Sequence, residues 1–134
     1  MEEKQPVLNP ELVHEFVGNA HGDLARVREL LAQEPALLHG MWDWGGGDWE
    51  TALGAAAHMG RKDIARYLLE QGARIDIFAA AMLGELEIVQ AITKAFPATV
   101  SSRGPHGISL MSHAQAGGEE AESVLQLLQL LERS

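Results

Sequence analysis

Thr51-Ala52-Leu53-Gly54-Ala55-Ala56-Ala57-His58-Met59-Gly60 is a short helix with its own start and stop signals. The Thr51 hydroxyl suits a helix N-cap, where it accepts from an otherwise unpaired backbone N–H of the first turn. Gly60 suits the left-handed conformation that ends a helix. The side chains between them are small, so another backbone can approach closely. A second amphipathic segment follows. Ile64, Ala65, Leu68 and Leu69 fall on one face, with Lys62, Arg66 and Glu70 on the other, and Gly72 closes it. A helix pair with one apolar side cannot bury that side alone. It reads as one unit of a stack.

The same beat recurs on either side. Upstream, Gly18-Asn19 stands where the alanines stand, and Gly22, Leu24, Val27 and Leu30-Leu31 follow. Downstream come Ala80-Ala81, Gly84, Ile88-Val89 and Ile92, then Leu110-Met111, Ala114, Gly117, Val124 and Leu127-Leu128. Gly84 and Gly117 lie 33 residues apart, Gly22 and Gly60 lie 38 apart, and Gly60 and Gly84 lie 24 apart. Pro35 and Pro97 each fall 13 residues after their glycine, where each would end a second helix. Four units with one insertion and one deletion account for residues 10 to 131.

The second unit resembles the ankyrin repeat, whose pattern is T-P-L-H-x-A-A-x-x-G, then paired aliphatics, L-L and G-A. Here Ala52 replaces the proline and Gly54 the histidine. The spacing of 33 is the period of that family. The resemblance implies an all-α solenoid of about four helix-turn-helix units joined by hairpin fingers. The expected layout is an N-terminal extension over residues 1–9 and an ankyrin repeat domain over 10–134. The length deviations fall in the fingers. Ala73-Arg74-Ile75-Asp76 leads straight into the third unit, so that finger is expected to be missing or vestigial, with Asp76 capping the next helix. The extra residues lie in Met41-Trp42-Asp43-Trp44-Gly45-Gly46-Gly47-Asp48-Trp49, so the finger before the second unit is expected to be long.

All three tryptophans of the chain sit in that finger, around three consecutive glycines that permit unusual backbone geometry. Two readings stand side by side. The indoles are binding anchors of the kind that dominate interfaces, or they fold back and lid the helix ends.

Composition narrows the partners. The chain has 134 residues and a formal net charge of −9, which disfavours a nucleic acid, whose phosphates need clustered Lys and Arg. Arg26, Arg28, Arg61, Lys62 and Arg66 alternate with acids at helical spacing and read as a solvated face. There is no cysteine, which removes disulfides, thiolate metal sites and cysteine nucleophiles. The start, Met1-Glu2-Glu3-Lys4-Gln5-Pro6, lacks the basic-then-apolar pattern of a secretion signal, and no apolar run has membrane-spanning length. The expected location is the cytoplasm.

Catalytic signatures are lacking. Gly45-Gly46-Gly47 has no Gly-Lys-Ser/Thr ending, there is no Gly-x-Ser-x-Gly elbow, and no nucleophile, base and orienter assemble. His14, His21, His39, His58, His106 and His113 include no pair at the i, i+4 spacing of a helical metal site. Surface or capping roles are expected for them, with no metal, no cofactor and no enzymatic activity.

The ankyrin resemblance implies protein–protein recognition, by an adaptor or regulator, through finger tips and the exposed face of the first helices. On this chain those positions are Trp42, Asp43, Trp44, Asp48, Trp49 and Glu50 in the long finger. His58 and Met59 follow in the second unit, Met82 and Leu83 in the third, and Arg103 and His106 in the last finger. The acidic balance favours a protein partner with a basic patch, and argues against a nucleic acid or a membrane. A monomer or weak homodimer is expected. One alternative is homo-oligomerisation through the Trp-rich loop or the Leu-rich C-terminal helix. A small-molecule-binding protein or enzyme, with the tryptophan loop closing over a pocket, is a further alternative.

Overall fold

The computed structural model describes residues 5–133. The Met1–Lys4 part of the expected N-terminal extension, and Ser134, lie outside the described residues. The helices come in four successive pairs: α1 (Pro10–Asn19) with α2 (Leu24–Gln33), α3 (Ala52–His58) with α4 (Lys62–Glu70), α5 (Ile77–Met82) with α6 (Leu86–Ala95), and α7 (Leu110–Ala116) with α8 (Glu122–Glu132). The fold is all-α and ankyrin-like. A side chain caps the first helix of each unit, Thr51 and Asp76 as expected and Asn9 and Ser109 in addition. Asn9 Oδ1 accepts from the Glu11 N–H at 2.9 Å, Thr51 Oγ1 from Gly54 at 2.9 Å, Asp76 Oδ1 from Ala79 at 2.8 Å and Ser109 Oγ from Ser112 at 3.1 Å. Pro35 and Pro97 each open a 3₁₀ turn just after α2 and α6 end.

The fingers follow the length deviations. The long one is a hairpin of β1 (Met41–Asp43) and β2 (Trp49–Thr51), paired antiparallel with Trp42 opposite Glu50. Between α4 and α5 there is no strand pair. Before α7 only an Arg103–Ser109 bridge remains, around a turn at Pro105–Gly107.

Small residues set the stacking distance. Ala52, Gly54, Ala55, Ala56 and Ala57 of α3 and Ala79, Ala80 and Ala81 of α5 are buried where α3, α5 and α7 lie side by side. Phe16, Leu30, Leu37, Ile64 and Leu68 fill the layer behind the first half. Val89, Leu110, Val124 and Leu128 fill it behind the second. Leu8, ahead of α1, also packs on the first cluster.

The units do not touch only their nearest neighbours. α5 has six residues and no finger before it, and α7 reaches past it to α3. Glu120, in the turn of the fourth unit, pairs with Lys62 at 3.5 Å and Arg66 at 2.9 Å in the second. Arg26 meets Glu15 and Glu29 and Arg61 meets Asp63, while Arg28 lies over the Tyr67 ring at 4.5 Å.

The fourth unit differs from its expected register. Residues 118–121 form a 3₁₀ turn and α8 starts only at Glu122. The left-handed residue there is Gly118, with φ 63°, whereas Gly117 has φ −74°. Gly117 is required by contact: a Cβ there would collide with the Met82 carbonyl.

Gly84 combines both constraints. Its φ is 76°, and a Cβ would strike the Glu120 carbonyl oxygen. Gly107 has φ 71° but opens onto empty space. Gly84→Ala is therefore expected to lower unfolding stability by about 3 kcal/mol, left-handed strain plus a forced backbone shift. Gly107→Ala should cost about 1 kcal/mol, the strain alone. Equal losses in urea titrations would contradict this packing.

His113 supplies a pH dependence. Its ring is buried in α7, tilted against Phe78 at 4.9 Å; Nδ1–H donates to the Ser109 carbonyl at 2.8 Å, and Nε2 has no hydrogen-bond partner. Burial lowers its pKa, opposed by the Ser109 bond and Asp76 and aided by His58. The unfolded chain then binds the proton more readily than the fold does. Below the ordinary value of 6.5, stability drains away until the folded ring also protonates. His113→Leu removes this contribution. Between pH 7 and 5, the variant should gain stability relative to the parent chain, as read by the difference in their melting temperatures. A pH-independent difference would exclude the effect.

Candidate functional site

The long finger is a two-faced ribbon. Alternation along a strand puts Trp42 and Glu50 on one face and Met41, Asp43, Trp49 and Thr51 on the other. The tip, Gly45-Gly46-Gly47, runs entirely at positive φ (137°, 65° and 90°). Asp43 holds it by accepting from the N–H groups of Gly45 at 2.8 Å and Gly47 at 3.0 Å. The Trp44 N–H donates to the Asp48 carbonyl at 3.0 Å and extends the ladder by a residue, so Trp44 joins the Trp42–Glu50 face.

That face turns inward onto histidines. Trp42 lies 4.7 Å from the His14 ring, and Trp44 lies 5.3 Å from His14 and 5.9 Å from His21. Glu50 is fully buried. Its Oε1 accepts the Trp44 indole N–H at 2.9 Å. His21 Nε2 is 3.1 Å from the same oxygen. His58 Nε2 at 3.0 Å and His106 Nε2 at 3.2 Å approach Oε2. No Lys or Arg pairs with this carboxylate among the described residues.

Each imidazole is oriented from behind or by its helix. His21, in the turn after α1, has Nδ1 2.9 Å from the Gly18 carbonyl. His58 is the last residue of α3. His106, in the last finger, has Nδ1 2.7 Å from Asp48 Oδ2, while its backbone N–H donates to Asp48 Oδ1 at 2.7 Å. These two hydrogen bonds to Asp48 hold His106 at φ 60°, a left-handed conformation uncommon outside glycine. Asp48 therefore ties the long finger to the last one.

Electrostatics follow from this crowding. Burial pushes the Glu50 carboxyl up, but the closeness of His21 and His58 outweighs it and holds the group at about 2. The contact with Glu50 pushes the His21 imidazole up, against burial, which pulls it down. His58 Nε2 and Glu50 Oε2 are near enough to attract, yet neither is aligned for a hydrogen bond. Distance alone overstates that pair as a salt bridge.

Residues 48–79 match the family model of the ankyrin repeat. This segment is similar to an ankyrin repeat. The match covers the second unit, from the end of the long finger through α3 and α4, and includes both Glu50 and His58. A comparison with curated proteins returns no match. The ankyrin match supports protein–protein interaction as the general class of function.

The expected contact positions divide on this ankyrin-like frame. Trp49 is 54% exposed and Met59 52%. Arg103 is exposed, with Nη1 donating to the Gly107 carbonyl at 2.9 Å. Trp42, Asp43 and Asp48 are accessible in part, His106 is exposed, and Trp44 is 37% exposed. Glu50, Met82 and Leu83 are buried and cannot meet a partner, which corrects their assignment to a contact surface. Glu50 is consumed by the inward face of the hairpin. Met82 and Leu83 lie under the turn of the fourth unit, which has slid over α5.

The structure also gathers His21, His58 and His106, expected as unrelated surface groups, around one carboxylate. His21 was not among the expected site residues. Spacing along one helix could not reveal the group, because each member belongs to a different segment.

The lid and recognition readings of the tryptophans divide by residue. Trp44→Phe strands the Glu50 carboxylate and should cost about 2 kcal/mol. Trp49→Ala, at an exposed site, should stay within about 0.5 kcal/mol. Chemical denaturation measures both, and a larger loss for Trp49→Ala would reverse the assignment of faces.

Proposed function

We propose that this chain is a non-catalytic recognition module, acting in the cytoplasm as an adaptor or regulator. Its ankyrin-type stack, residues 10–134, grips a protein partner along the finger edge. The supporting observation is the exposed face of the long finger. Met41, 46% exposed, and Trp49 stand out from a backbone braced by Asp43 and anchored by Glu50. Exposed aromatic and methionine side chains on a rigid support are the usual anchors of an interface. Beside them a groove of about 400 Å³ runs between the two fingers, lined by Met41, Trp49, Phe78, Arg103 and Pro105. Met59 adds an exposed apolar position at the end of α3.

The net charge of −9 favours a protein with a basic patch over a nucleic acid or an anionic membrane. Among the described residues, no helix is long and apolar enough to cross a membrane.

The test compares the parent chain with Trp49→Ala/Met59→Ala as baits in extract of the source cells. A protein retained by the parent and released by about 0.5 M salt should be lost from the double variant, whose melting temperature stays near the parent's. Retention that is indifferent to both substitutions would sink the reading.

A further inference from the structure

We propose that His21, Glu50, His58 and His106 bind one divalent transition-metal ion, with zinc the leading candidate, which clasps the long finger to the helix ends and to the last finger. The inference goes beyond the recognition reading and does not depend on it.

Four donor atoms, one from each residue, lie within 4.8 Å of one another. Ligands of a tetrahedral zinc ion sit about 2.0–2.1 Å from the metal, and so roughly 3.3 Å apart. The His58 and His106 Nε2 atoms, 3.0 and 3.2 Å from Glu50 Oε2, are already at about that separation. The remaining closure needs only small rotations of side chains on a finger tip and a turn.

Hydrogen bonding fixes which nitrogens are available. A carbonyl oxygen only accepts, so His21 Nδ1 must carry the proton shared with Gly18. The Asp48 carboxylate likewise takes the proton on His106 Nδ1. In neutral rings this leaves the lone pairs on Nε2 of His21 and His106. Both point at an acceptor, Glu50, with which each can hydrogen-bond only by taking up a second proton. A cation between these donors resolves the conflict. A metal-bound histidine ordinarily presents its other N–H to a carbonyl or a carboxylate, and these two rings do so.

Burial adds an independent observation. Glu50 is fully buried and its Oε2 has no hydrogen-bond partner; His58, whose side chain is 10% exposed, has an unpartnered Nε2 3.0 Å away. Buried polar atoms are almost always satisfied. Trp44 occupies Oε1, so the carboxylate is left to ligate through one oxygen. His21 and His106 side chains are 25% and 31% exposed, which gives an ion a way in.

The donor set selects the ion. Three imidazoles and one carboxylate suit zinc and its first-row neighbours, and do not suit calcium or magnesium, which prefer oxygen cages. The ligands come from the turn after α1, from β2, from the end of α3 and from the loop before α7. Binding therefore couples three repeat units to the finger that carries Trp49.

The experiment uses the full chain without a histidine tag, stripped with chelator at pH 7.5. Zinc chloride is the probe in calorimetry, with metal analysis after gel filtration. The expected result is one zinc per chain and a higher melting temperature. Cobalt(II) in its place should give the visible absorption of a four-coordinate site. His106→Ala, on a partly exposed finger, and His58→Ala should both abolish stoichiometric uptake. Asp48→Asn should weaken it about 10- to 100-fold. His14→Ala and His39→Ala should leave it unchanged. A folded parent chain that takes up no zinc would overturn the proposal. So would uptake that persists in folded His106→Ala, or that His39→Ala removes.

Discussion

A carboxylate without solvent organises one edge of this molecule. Glu50 is fully buried, and the groups that compensate it are an indole N–H and three imidazoles, with no lysine or arginine pair among the described residues. Ionised carboxylates are costly to bury unless hydrogen bonds and charge answer them. Here the answering groups come from segments far apart in the chain. The burial of one side chain thus fixes the position of the long finger, the turn after α1 and the last finger together. Removing a partner leaves the charge exposed to a dry environment, so the arrangement is held as a whole or not at all.

The stack makes that convergence possible. Alanines and glycine in α3 and alanines in α5 bring successive first helices close, so the ends of those helices and their fingers fall along one edge. The missing finger before α5 brings the fourth unit over the third, into contact with the second. His106 then stands across from His58, with ring centres 5.1 Å apart, although 48 residues separate them in the chain. A regular repeat of constant length would keep the last finger farther from the second unit. The deletion and the insertion are therefore connected: one draws the last finger in, and the other provides the long hairpin that it meets.

Much of the fold was legible in the residues because its signals are local. Thr51 and Asp76 each start a helix, Gly60 and Gly84 each end one at positive φ, and Pro35 and Pro97 recur at the same offset. The fourth unit was less legible. Gly117-Gly118 offers two candidates for one left-handed position, and only the approach of the Met82 carbonyl decides between them. The site was largely hidden for a different reason. A glutamate next to tryptophan in a glycine-rich loop reads as exposed, and its burial depends on strand register. Once Trp42 is known to pair with Glu50, alternation places both on the inner face. The histidines carry no mutual spacing at all, because the superhelix, not the sequence, makes them neighbours. Trp49 in the finger and Met59 after α3 are exposed.

The decisive measurement of this account is the exchange of indole protons with solvent, followed by nuclear magnetic resonance on the intact chain. If Glu50 anchors the finger, the Trp44 Nε1 proton will exchange far more slowly than that of Trp49, and Glu50→Gln will erase most of the difference. Equal, rapid exchange of the two in the parent chain would mean that the hairpin is not pinned by the buried carboxylate.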